Sequence, residues 1–177
     1  MKNDIAKILL TEEEIKARVK ELGKQITEDY KDKEVLVICV LRGAVIFLSD
    51  LLREIDTFVD MDFMAVSSYT GTRSSGVVNI VKDLTTNIEN KHVLIVEDIL
   101  DTGRTLDYLV RILKERMPAS IKICSLLIKK GREEIEVPVD YYGFYIPNEF
   151  VVGYGLDYND LYRNLKYIGV LKEEIYS

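Results

Sequence analysis

The 177-residue chain predicts an α/β fold built on a mainly parallel sheet flanked by helices. Three observations predict it. The runs Val35–Leu41 and Val93–Val96 are apolar with no polar alternation, the pattern of strands buried on both faces. Each run leads into a short glycine turn, Arg42-Gly43-Ala44 in one case and Asp101-Thr102-Gly103 in the other. Behind each turn a helical period begins: Val45, Leu48, Leu51, Leu52 and Ile55, then Leu106, Leu109, Val110, Leu113 and Met117. Strand, tight turn and helix in that order make the βα unit of a parallel sheet.

The remaining elements follow in order. Thr11-Glu-Glu-Glu14 has the form of a capping box, and Ile15, Val19, Leu22 and Ile26 behind it mark an amphipathic helix ending near Tyr30. Asp60 to Val66 alternates as a strand, with Met61, Phe63 and Ala65 on one side. The hydroxyl- and glycine-rich stretch Ser67 to Gly76 reads as a hairpin connection or a lid, and an apolar run from Val77 to Val81 follows it. Pro118 stops the third helix, and Ile121 to Ile128 reads as another strand. Pro138 and Pro147 break the next segment into short strands, and Tyr167 to Leu171 reads as the last one. No repeat, low-complexity tract or linker interrupts the chain, so one domain over residues 1–177 is expected.

Composition narrows the class. Apolar residues at 47% and charged residues at 31% describe a soluble globule, and a net charge of −6 without a basic block argues against a nucleic-acid surface. The longest apolar run has seven residues, too short to span a membrane. The first residues lack the apolar core of a signal peptide, so a cytoplasmic protein is expected. Cys39 and Cys124 sit inside apolar runs and read as buried small hydrophobes; His92 reads as a surface residue without chemistry.

The chemistry concentrates in Val93-Leu-Ile-Val-Glu97-Asp98-Ile-Leu-Asp101-Thr102-Gly103-Arg104-Thr105. Ligands of open α/β sheets sit beyond the carboxyl ends of the strands, where Glu97 and Asp98 fall. Thr102, Gly103 and Thr105 offer hydroxyls and amides at a helix N-terminus, an anion site. Acids beside a phosphate cradle suit a ribose phosphate, whose vicinal hydroxyls donate to the acids while the phosphate takes the turn. The plain alternative makes Asp101 an N-cap and Glu97 and Asp98 a solvated strand end. A second turn, Arg42-Gly43, offers close backbone approach and positive charge to a second phosphate group.

This thirteen-residue stretch resembles the signature of the type I phosphoribosyltransferases, and Glu before Asp resembles their 6-oxopurine branch. Three further motifs match in family order: Arg42-Gly43, the Lys129 that closes a Leu-Leu-Ile run, and Phe150-Val-Val-Gly-Tyr-Gly-Leu-Asp157 with Arg163. The resemblance implies the type I phosphoribosyltransferase fold, about five parallel strands between helices, with a small hood from the N-terminal segment and residues from about 138 to 177. It implies transfer of 5-phosphoribose from phosphoribosyl diphosphate to N9 of hypoxanthine or guanine. In that reading Glu97, Asp98, Asp101, Thr102, Gly103, Arg104 and Thr105 bind the phosphoribosyl group, and Asp101 is the catalytic residue, as base or as charge stabiliser. Arg104 stands where some relatives carry lysine. Arg42, Gly43, Ser68, Tyr69 and Arg163 hold pyrophosphate, with Ser68-Tyr69 in a closing lid. Lys129, Phe150, Val151 and Asp157 form the purine site, and Glu97, Asp98 and Asp157 hold Mg²⁺. A homodimer or homotetramer is implied as well.

The physical case differs between these positions. A lysine ammonium has only donors, so at Lys129 it favours a 6-oxo over a 6-amino purine; a solvated amine is the plain alternative. Phe-Val-Val alone reads as core. Rival readings are a xanthine-preferring phosphoribosyltransferase and a nucleotide-sensing, RNA-binding regulator on the same fold, which the acidic balance disfavours. A dinucleotide oxidoreductase lacks its Gly-x-Gly-x-x-Gly after either strand.

Overall fold

The computed structural model describes residues 1–68 and 78–177, apart from the side chain of Ser68. After a single 3-10 turn the elements in chain order are β1 (Ile5–Leu10), α1 (Glu12–Asp29), β2 (Val35–Leu41), α2 (Val45–Glu54), β3 (Val59–Ser68), β4 (Val78–Lys82), β5 (His92–Leu100), α3 (Arg104–Glu115), β6 (Ser120–Lys129), β7 (Tyr141–Ile146), β8 (Val151–Val152), β9 (Ile168–Leu171) and α4 (Glu173–Tyr176). The capping box forms as its sequence predicts: the Glu14 amide donates to the Thr11 hydroxyl at 3.2 Å and the Thr11 amide to the Glu14 carboxylate at 2.8 Å.

Six strands make the main sheet in the order β4-β3-β2-β5-β6-β7. Five of them, β2, β3, β5, β6 and β7, run parallel, as expected; β4 adds an antiparallel edge. The unalternated runs have the physical consequence their pattern requires. Val35, Val37 and Cys39 of β2 pack with α1 and α2, while Leu36, Ile38 and Val40 pack with α3 on the opposite face. β5 divides in the same way, with Leu94 and Val96 on one side and Val93 and Ile95 on the other. Cys39 and Cys124 are free and buried, consistent with their reading as small hydrophobes.

A second, three-stranded antiparallel sheet, β1-β9-β8, forms the hood from both chain ends. Two expectations are corrected here. Residues 141–146 join the main sheet as β7, so the hood begins only beyond them. His92 is half-buried, not a surface residue: it opens β5, its Nδ1 lies 2.7 Å from the Ser120 hydroxyl, and Tyr30 meets its ring edge-on. β1 lies before the first recognised sequence signal and went unread. Tyr69 lies outside the described residues, as does the rest of the expected lid to Gly76.

Candidate active site

The strand order contains one reversal. From β2 the chain moves outward to β3 and β4, returns to β5 on the other side of β2, and then moves outward through β6 and β7. The crevice beyond the carboxyl ends of β2 and β5 is therefore the topological switch point, where open α/β sheets bind ligands. Arg42-Gly43 leaves β2 at this crevice and Asp101-Thr102-Gly103 leaves β5.

The turn after β5 is held from outside by the connection between β6 and β7. Gly103 caps α3 with φ of 84°, and a side chain there would meet the Ile135 carbonyl. The amides of Glu134 and Ile135 both donate to the Thr102 carbonyl, at 3.0 and 3.1 Å. Arg104 pairs with Glu134, and Arg132 Nε lies 3.0 Å from Asp101 Oδ1. Lys129 Nζ reaches the other oxygen of Asp101 at 3.5 Å. Two residues assigned to different functions, the candidate base and the candidate purine donor, thus meet at one point. Arg132 and Glu134 escaped sequence reading because nothing local distinguishes them from other charged loop residues.

Glu97 is buried and Asp98 half-buried, although both precede the strand's end at Leu100. Burial first, then the neighbouring Asp98, pushes the Glu97 carboxyl well above the usual range; burial raises Asp98 too. The Asp98 amide donates to Glu97 at 3.1 Å and the Ile99 amide to Asp98 at 2.7 Å. Gly43 fits against Asp98 so closely that a Cβ would collide with the carboxylate. The turn after β2 and the acids on β5 therefore form one continuous surface.

At the turn after β2 the Leu41–Arg42 peptide is cis. Arg163 is fixed by Asp157 Oδ1 at 2.9 Å and by the Gly155 carbonyl at 2.7 Å. Asp160, which sequence reading gave no role, lies 2.8 Å from Arg42 Nη2 and 3.4 Å from Arg163 Nη2. Asp157 is thereby tied to Arg163 and, through an oxygen that accepts from the Asp160 amide at 2.9 Å, to the same loop.

At the hood, Phe150 precedes β8 and its carbonyl accepts from the Leu171 amide at 2.9 Å; Val151 is buried opposite Val170. The Phe150 ring stacks on Tyr176, centroids 4.8 Å apart at 20°, and meets Tyr158 edge-on at 5.6 Å. Among the described residues no three acids, histidines or cysteines close into a metal-binding group, so Glu97, Asp98 and Asp157 do not form a protein-only cage. The neighbouring carboxylates Glu97 and Asp98 are an oxygen-only donor pair. That fits Mg²⁺, which is held by one or two carboxylates together with substrate oxygens and water.

Crevice and fold together define a phosphoribosyltransferase: the family model for the phosphoribosyl transferase domain matches residues 6–159. The hypoxanthine-guanine phosphoribosyltransferase of Streptococcus thermophilus is 52% identical over 178 residues, covering 100% of this chain and 99% of that protein. The bifunctional protein TilS/HprT of Listeria monocytogenes is 53% identical over 178 residues, and the chain spans only 28% of its length. Among solved structures, a hypoxanthine phosphoribosyltransferase from Staphylococcus aureus is similar at a TM-score of 0.96 and 52% identity, covering 100% of this chain and 97% of that one. The chain belongs to the hypoxanthine-guanine phosphoribosyltransferase family.

Proposed function

We propose that the chain transfers the 5-phosphoribosyl group of phosphoribosyl diphosphate to N9 of hypoxanthine or guanine, giving the nucleotide and pyrophosphate. The observation that carries the reading is the switch-point crevice: Asp101 meets Lys129 at the turn after β5, while the neighbouring turn after β2 packs Gly43 on Asp98 and shares Asp160 between Arg42 and Arg163. In the reaction the bond from the sugar's anomeric carbon to pyrophosphate oxygen breaks as the bond to purine N9 forms. Thr102, Gly103, Arg104 and Thr105 take the 5′-phosphate at the start of α3. Asp98, with Glu97 behind it, accepts from the ribose hydroxyls. Asp101 takes or stabilises the proton left on purine N7.

Lys129 donates to the 6-oxo group once Asp101 turns to the purine, and Phe150 lends a ring face to the base. Arg42 and Arg163 receive the charge of departing pyrophosphate. Mg²⁺ held by Glu97 and Asp98, with Asp157 as a further candidate, would offset charge on the diphosphate.

No helix of the described residues is long and apolar enough to cross a membrane, and the phosphorylated substrates suit a cytoplasmic place. Phe58, Met61 and Val81 expose apolar side chains on or beside β3 and β4, and assembly as a homodimer or homotetramer is part of the same proposal. Light scattering in solution tests that assembly. The function is tested by Mg²⁺-dependent nucleotide formation measured in parallel with hypoxanthine, guanine, xanthine and adenine. Turnover of the first two but not adenine is expected; a preference for xanthine would transfer the assignment to that substrate, and no turnover with any base would overturn it.

A further inference from the structure

Asp160 is an acid of the crevice without a part in this scheme, and it sits between two of the arginines that have one. Its carboxylate bridges the guanidinium groups of Arg42 and Arg163, and it bonds neither to the acids on β5 nor to the phosphate turn. The loop presenting it is a tight two-residue turn closed by Tyr158 and Leu161. Asn159, Asp160 and Tyr162 have φ of 51°, 62° and 75°, left-handed values that Asn and Asp adopt readily in such turns and a tyrosine only at a cost. The surroundings enforce the shape: Tyr158 and Leu161 bond to each other through both backbone groups, the Asp160 amide donates to Asp157, and the Tyr162 hydroxyl donates to Asp4 at 3.1 Å. A turn tied down at these points holds the Asp160 side chain in one place.

That place lies between two cations. Arg42 and Asp160 are 69% and 64% exposed, so their pairing adds little to the stability of the fold. Two arginines converging on one point nevertheless form an anion site, and a fixed negative charge inside it opposes any incoming anion. We propose that Asp160 is an internal counter-anion of the pyrophosphate corner. It holds Arg42 and Arg163 together between turnovers and weakens the grip on pyrophosphate by competing for both. The diphosphate, with more charge and more acceptor oxygens, displaces it on binding; the carboxylate reclaims the arginines as the product leaves. Asp160 is thus a positioning residue. The inference rests on the proposed assignment of Arg42 and Arg163 to pyrophosphate.

The test is product inhibition of the full chain by inorganic pyrophosphate at fixed free Mg²⁺, for the unaltered protein and for Asp160→Asn, Asp160→Glu and Arg42→Ala. Asp160→Asn is expected to tighten pyrophosphate inhibition about three- to tenfold, with the purine KM and the thermal midpoint unchanged; Asp160→Glu restores the original value. Arg42→Ala is expected to weaken inhibition. An Asp160→Asn enzyme with unchanged or weaker pyrophosphate inhibition, beside a weakened Arg42→Ala, overturns the role of Asp160 alone. Unchanged inhibition in Arg42→Ala removes Arg42 from the pyrophosphate site and overturns the inference with it.

Discussion

The carboxylate of Asp98 occupies the space in which a side chain at residue 43 would lie. The turn after β2 and the acid on β5 therefore adjust to each other, and glycine is the residue that lets the two strands bring these groups together. Replacing Gly43 by alanine forces Asp98 away from the crevice. The KM for phosphoribosyl diphosphate is expected to rise more than tenfold, above about 1.4 kcal/mol, with the purine KM much less affected. Initial-rate kinetics at varied donor and varied purine check this; equal losses toward both substrates would point to general misfolding instead.

Asp101 contacts Lys129 and Arg132 at the turn after β5, and as the proposed partner of purine N7 its effect falls on the chemical step. Asp101→Asn keeps the size of the side chain and removes its charge. A fall in kcat of more than tenfold, above about 1.4 kcal/mol, is expected with little change in donor affinity. Asp98→Ala gives the opposite pattern, a weakened donor KM. Single-turnover rates measured beside donor binding separate the two, and a fully active Asp101→Asn enzyme would remove that residue from catalysis.

How legible the molecule was follows from how local each signal is. The strands β2 and β5 were readable because burial on both faces leaves a run with no polar residue, and α1 because a cap and a period coincide. β1 was not, since Ile5–Leu10 is half-exposed and finds its partner, β9, at the other end of the chain. The two turns at the switch point could be read from their residue types, but their adjacency depends on strand order. Asp160, Arg132 and Glu134 act only through partners distant in the sequence or across a loop. An exposed charge carries no mark of which opposite charge it will meet.

Tyr176, the last residue of α4, stacks its ring on Phe150. An offset aromatic pair contributes about 0.5–1.5 kcal/mol beyond its burial, and here it fixes the plane of the ring proposed to carry the purine. Tyr176→Ala is expected to raise the purine KM about two- to tenfold while leaving the donor KM unchanged, and Tyr176→Phe to retain the original value. Equal purine KM values in all three proteins would show that Phe150 needs no backing.

Asp62 supplies the sharpest pH prediction, because its role is structural and separate from the crevice. It is buried on β3, which works to raise its carboxyl pKa, yet amides of Phe63, Thr86 and Thr85 donate to it and hold the pKa down at about 2. Those bonds pin the crossing from β4 to β5. A carboxyl depressed below its unfolded value of about 3.9 contributes stability above that pH, and the contribution disappears as the pH falls toward the folded value. The linkage amounts to about 2.5 kcal/mol. Urea unfolding of the unaltered protein and Asp62→Asn is therefore expected to differ most at neutral pH, with the gap narrowing between about pH 4 and pH 2. A gap that stays constant through this range would mean that the carboxylate's charge is not what these amides recognise.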